Sequence, residues 1–167
     1  MTIQIGDRLP DASLAEFIET ATEGCALGPN IFDVATLTKG KTIAIFGLPG
    51  AFTPTCSAQH LPGYVQLADQ LKAKGVDEIW CVSVNDAFVM GAWGREQKAT
   101  GIVRMMADGS GVFTRALGLE FDLIAKGMGI RSKRYSMLVQ DGVVKQLNVE
   151  TAGFDVSSAQ KLLEQLG

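Results

Sequence analysis

A mixed α/β sandwich is the fold class that three features of this 167-residue sequence predict. Apolar runs of strand length alternate with helical stripes in the order βαβαβα through the first two thirds of the chain. The two clearest runs, 42–48 and 78–84, lack polar alternation, as strands covered on both faces do. Asp141-Gly142 then joins two β-rich runs, a strong hairpin signal, ahead of a last helix.

Each element has its own warrant. Pro10 biases Leu9 away from helix, so residues 7–10 read as an extended lead-in. Partial alternation over 13–19 predicts a strand that pairs with a second one near 25–27 across the turn residues Thr22-Glu23-Gly24. This is an N-terminal β-hairpin. Residues 36–41 read as a loop into the first central strand. Tyr64, Leu67, Ala68 and Leu71 fall at helical spacing, with Pro62 kinking that helix and Gly75 ending it. Asn85-Asp86 suits the cap of a helix over 87–98, followed by a strand at 102–106 and a short helix at 112–117. The Gly-rich stretch 127–132 reads as a loop. It enters the hairpin of 134–140 and 143–149, and a helix starting near Asp155 or Ser157 ends the chain. That arrangement, a central mixed sheet flanked by helices, is thioredoxin-like. No linker or internal repeat breaks it, so one domain over 1–167 is expected.

Composition narrows the function classes. With 47% hydrophobic and 20% charged residues the chain has an ordinary globular make-up, and a net charge of −3 gives no bulk attraction to nucleic acid or anionic membranes. No apolar run approaches the ~20 residues of a membrane span. The first seven residues lack a basic start and an apolar core, so no secretory leader is expected. Cysteines at 25, 56 and 81 form neither a C-x-x-C pair nor a metal-like cluster. Sparse, odd-numbered cysteines fit a reducing compartment, and a cytoplasmic protein is expected.

The chemistry concentrates at residues 49–60. An apolar strand runs into Pro49-Gly50-Ala51-Phe52-Thr53-Pro54-Thr55-Cys56. Thr53 suits a helix N-cap and Pro54 the first helical position, where a missing N–H costs nothing. Cys56 then falls in the first turn, where free backbone N–H groups and the helix dipole favour negative charge. A cysteine so placed is suited to react as its thiolate.

The motif Pro49-x-x-x-Thr53-x-x-Cys56 resembles the active-site motif of the peroxiredoxins. The wider run 49–57, together with 83–90 and Arg131-Ser132-x-Arg134-Tyr135, resembles the type II, or peroxiredoxin-5, subfamily over nearly the whole chain. The resemblance implies a peroxidase in which Cys56 attacks a hydroperoxide and becomes a sulfenic acid. By the same likeness Arg131 is the guanidinium that stabilises the thiolate and the leaving oxygen, Thr53 orients the peroxide, and Pro49 shields the sulfur. Arg134 stays open between a place in that anion-binding network and a packing or interface role. His60, one turn after Cys56, reads as a structural or supporting residue. Phe52 and Phe88 are open between core and the interface of a homodimer, the assembly this subfamily tends to form.

The other cysteines bear on how the cycle closes. Cys81 lies mid-strand and Cys25 in the N-terminal hairpin, and both read as packing residues. Residues 148–167 hold no cysteine, unlike members with a resolving cysteine near the C-terminus. Regeneration by glutathione and glutaredoxin is therefore expected, with thioredoxin as the alternative and a redox sensor without efficient turnover as a further one. No cofactor and no metal are expected.

Overall fold

A computed structural model describes residues 1–167. Strands β1 (Ser13–Ile18) and β2 (Gly28–Asp33) pair antiparallel, and helix α1 (Val34–Thr38) follows. Strand β3 (Thr42–Gly47) leads to the Cys56 loop, a π-helical turn (Cys56–His60) and helix α2 (Leu61–Ala73). Next come β4 (Glu78–Ser83), α3 (Ala87–Glu96), β5 (Arg104–Ala107) and α4 (Val112–Leu117). A small ribbon of β6 (Glu120–Leu123) and β7 (Gly129–Ser132) precedes the hairpin of β8 (Tyr135–Gln140) and β9 (Val143–Val149). Helix α5 (Ala159–Gln165) ends the chain, capped by the Ser158 side chain.

Seven strands form one sheet in the order β2-β1-β5-β4-β3-β8-β9. β3, β4 and β5 are parallel neighbours, while β8 lies antiparallel to β3 on its other side. This is the expected mixed sheet. Its missing alternation has a direct cause: Ala44 and Phe46 of β3 face one core with α2, α3 and α5, and Ile43 and Ile45 face another with α1 and α4. Both faces are dry, so polar residues have no place in the strand.

Three expectations need correction. The partner of β1 is Gly28–Asp33, not the segment near residues 25–27, where Thr22 and Cys25 make only an isolated bridge. The sequence of β2 is that of an edge strand, with every second residue exposed. Residues 36–41 are helical in part because Asp33 accepts from the Thr36 amide and nucleates α1. The Gly-rich stretch 127–132 is not a loop throughout, since Gly129–Ser132 pairs in register with Glu120–Leu123.

Pro62 lies in the first turn of α2, and the turn before it is wide. A proline has no N–H for the carbonyl four residues back and crowds it. The chain widens there, with the Leu61 amide donating to the carbonyl of Cys56, five residues back. Such wide turns occur mostly at functional sites.

Candidate active site

The site lies at the carboxyl end of β3, where the loops that follow the parallel strands converge. Gly47 ends the strand against Tyr135, and a Cβ there would overlap the tyrosine ring. The loop that follows is pinned from the neighbouring strand. Asn85 Oδ1 accepts from the Ala51 amide at 3.0 Å and from the buried Ser83 hydroxyl at 2.6 Å. Phe52 takes a left-handed backbone with φ 64°, strained for a residue with a Cβ. Its ring lies against Trp93, whose indole N–H donates to Ser57 Oγ at 3.0 Å.

Cys56 is fully buried in the first turn of the helix, which begins at Pro54 as the sequence predicts. Thr53 does not cap it. Its hydroxyl donates instead to the carbonyl of Gly50 at 2.8 Å, leaving its oxygen lone pairs to accept from a bound molecule. Pro49 lines the same loop and its carbonyl accepts from Arg131 at 3.4 Å.

The guanidinium on the sulfur is that of Arg134, not Arg131. Arg134 Nη2 donates to Cys56 Sγ at 3.2 Å. Arg131 turns its Nε to the carbonyl of Met128 at 2.8 Å and its Nη1 to Pro49, and so braces the loop from behind. A Cβ on Gly50 would press on Arg131 Nη1, so glycine lets this guanidinium come close. The reason for the exchange is register. Tyr135 of β8 pairs with Gly47 at the end of β3, so Arg134, one residue earlier, faces the segment that leads to Cys56.

Arg134 is held in turn by His60. Its Nη1 lies 3.0 Å from His60 Nδ1, and His60 Nε2 lies 3.0 Å from the carbonyl of Ser157. An arginine only donates and a carbonyl only accepts, so these partners assign the neutral ring with its proton on Nε2. Burial, and then the Arg134 charge, lower the His60 pKa to about 3, consistent with that neutral form. Phe46, Tyr64 and Phe154 surround the ring. The supporting role read for His60 thus has a geometric basis. The sequence leaves the place of Arg134 open, because it depends on strand pairing that no local pattern reveals.

Cys81 is buried in β4, beside Phe46 of β3 and Met105 of β5. Burial, with the nearby Cys56 adding to it against the opposing pull of Arg134, pushes its thiol well up, so Cys81 stays protonated at neutral pH. All three cysteines are free. A buried nucleophile beside a fixed cation, with the lone pairs of the Thr53 hydroxyl in the same loop, has the means to stabilise charge that develops on a small polar molecule.

Comparison with known proteins agrees. The Redoxin family model matches residues 4–163. Peroxiredoxin-2B of Arabidopsis thaliana is 48% identical over 165 residues, covering 98% of each chain. Among solved structures, reduced Prx3 of Vibrio vulnificus in complex with H2O2 is 50% identical with a TM-score of 0.91, over 99% of this chain and 100% of that one. A Burkholderia cenocepacia protein is 64% identical with a TM-score of 0.98, over 100% of this chain and 99% of that one. The chain belongs to the Redoxin family, as a peroxiredoxin of the type II, or peroxiredoxin-5, kind with the thioredoxin-like fold and the thiol peroxidase activity of that group.

Proposed function

We propose that Cys56 is the peroxidatic thiol and that a glutathione-type cycle regenerates it. The 3.2 Å contact of Arg134 with Cys56 Sγ is the observation that carries the first half. A hydrogen bond from a fixed guanidinium favours sulfur in its anionic form, the form that attacks. The sulfur attacks one peroxide oxygen, and the S–O bond forms as the O–O bond breaks. The electron pair leaves on the distal oxygen, which takes a proton and departs as water or an alcohol. Sulfur is oxidised by two electrons to a sulfenic acid, and the peroxide is reduced by two. Arg134, the Cys56 amide and the Thr53 hydroxyl surround the reacting oxygens, and Pro49 with the loop keeps bulk water away.

The second half rests on the cysteines and on a neighbouring cleft. Cys81 is buried within the sheet and held as a thiol, which disfavours it as the group that resolves a Cys56 sulfenic acid. A cleft of about 470 Å³ borders Arg134 and is lined by Lys133 and Glu150, so two cations face one carboxylate where an anionic thiol would approach. In this cycle glutathione attacks the sulfenic sulfur and releases water, and glutaredoxin or a second glutathione then frees Cys56. Because Cys56 has no exposed surface, a reductant of that size requires the first helical turn to loosen. The same reading includes a homodimer through Phe52, in the Cys56 loop, and Phe88 on α3, which stand 54% and 64% exposed.

Intact mass of the reduced protein after one equivalent of hydrogen peroxide tests the reading. Gain of one oxygen on Cys56, cleared by glutathione with glutaredoxin, is expected. Loss of two hydrogens would place Cys81 or Cys25 in the cycle and overturn the glutathione half. No rapid change, or peroxide turnover surviving Cys56→Ser, would overturn the assignment of Cys56.

A further inference from the structure

The segment after β9 is built around one carboxylate. Glu150 Oε2 accepts from the amides of Asp155, Val156 and Ser157 at 2.8, 2.9 and 2.8 Å, and from Ser157 Oγ at 2.7 Å. Four donors on one oxygen of a half-buried glutamate are far more than the solubility of a surface loop needs. Burial raises the carboxyl, but the Ser157 hydroxyl and the three amides outweigh it and hold Glu150 below the usual carboxylate range. The charge is therefore permanent at neutral pH.

The grip has a consequence at the site. With its amide and hydroxyl tied to Glu150, Ser157 presents its carbonyl inward, where it accepts from His60 Nε2 at 3.0 Å and Tyr64 Oη at 3.1 Å. That bond fixes the proton of His60 on Nε2 and leaves the Nδ1 lone pair for Arg134 Nη1. Arg134 Nη2 is thereby left aimed at Cys56 Sγ. The main chain adds a second link, since the Glu150 amide donates to the Arg134 carbonyl at 2.9 Å. Phe154, inside the gripped segment, packs on the His60 ring at 5.0 Å and under the Arg134 guanidinium at 5.9 Å.

We propose that Glu150 is a positioning residue for peroxide reduction: its carboxylate folds residues 155–157 so that Ser157 orients His60, and His60 orients Arg134 on the Cys56 sulfur. The proposal rests on the peroxidase reading above for its kinetic consequence but not for its structural one. Glu150 touches no substrate. It acts through three other side chains and one carbonyl.

The test uses the full-length protein, with hydrogen peroxide as the probe. His60 is the only histidine in the chain, so its ring nitrogens give a single set of signals in 15N-resolved spectra. The wild type should show the Nε2–H tautomer alone. Glu150→Ala should give mixed or altered tautomer signals and lower the second-order rate constant of Cys56 oxidation by about tenfold, the kinetic equivalent of one hydrogen bond to a charged group. Glu150→Gln, which keeps an acceptor without the charge, should lie between the two in both readouts and stands in if the alanine protein does not fold. Glu16→Ala, which strips a carboxylate from Arg104 toward the opposite edge of the sheet, is the control for general destabilisation. It should leave the His60 signals and the rate unchanged. A folded Glu150 variant with wild-type His60 signals overturns the proposal, as does a Glu16→Ala protein that shows the same changes. A wild type that does not react with peroxide would instead defeat the peroxidase reading, while the His60 signals still decide the role of Glu150.

Discussion

Replacing Arg134 by lysine separates the two arginines of the 131–134 segment. Arg134 uses two N–H groups of one planar fork, Nη2 on Cys56 Sγ at 3.2 Å and Nη1 on His60 Nδ1 at 3.0 Å. A lysine keeps the charge but has a single nitrogen and no fork, so it cannot hold both partners in that geometry. The bond lost to the sulfur is charge-assisted and partly buried, worth about 1.5–3 kcal/mol. The rate constant for Cys56 oxidation should therefore fall by about 10- to 150-fold. Arg131→Lys removes only bonds to the carbonyls of Met128 and Pro49, so its effect should stay within about threefold. Stopped-flow fluorescence after mixing with hydrogen peroxide measures both, because Trp93 is hydrogen-bonded to Ser57, next to the reacting sulfur. A larger loss in Arg131→Lys than in Arg134→Lys, or a wild-type rate in Arg134→Lys, would refute the reasoning.

Two further outcomes follow from the packing and the charges. His60 stays neutral in the fold, with its pKa lowered from 6.5 to about 3, while the unfolded chain binds a proton below 6.5. Stability due to this group is thus whole above pH 6.5 and lost as the pH falls from there toward 3. The loss is about 2 kcal/mol by pH 5. Urea titrations of wild type and His60→Gln should diverge in slope over that range, and parallel slopes would refute the assignment. Gly47→Ala forces a Cβ into the Tyr135 ring, which is buried and anchored in β8, and should cost about 3 kcal/mol by urea unfolding. An unchanged midpoint would mean that the ring has room to move.

Where the chain carried a strong local signal, the sequence and the structure agree. Thr42–Gly47 and Glu78–Ser83 are strands because β-branched and aromatic residues fill both faces, and α3 starts at the Asp86 cap that its sequence advertises. The Asp141-Gly142 turn closes the β8–β9 hairpin, with φ of 50° and 79°. The Cys56 turn was legible for the same reason, since proline, threonine and glycine each restrict the backbone locally. Elements that rest on weaker cues are not legible in this way. Gly28–Asp33 is an edge strand whose polar half gives no run to detect, and Gly129–Ser132 is held by cross-strand bonds that offset its glycines.

The sequence by itself determined the mixed α/β class, the place of Cys56 at a strand-to-helix turn, and a count of only three thiols. These follow from periodicity, from the backbone limits of proline and glycine, and from counting. Which arginine meets the sulfur was decided only by the pairing of Tyr135 with Gly47, and the state of His60 only by burial among Phe46, Tyr64 and Phe154. The hold of Glu150 on residues 155–157 is local, five to seven residues along the chain, but it follows no periodic pattern that a sequence shows. Side chains 74 and 78 residues from one another in sequence, as His60 and Cys56 are from Arg134, meet because a sheet brings distant strands into register, and local sequence carries no record of that distance.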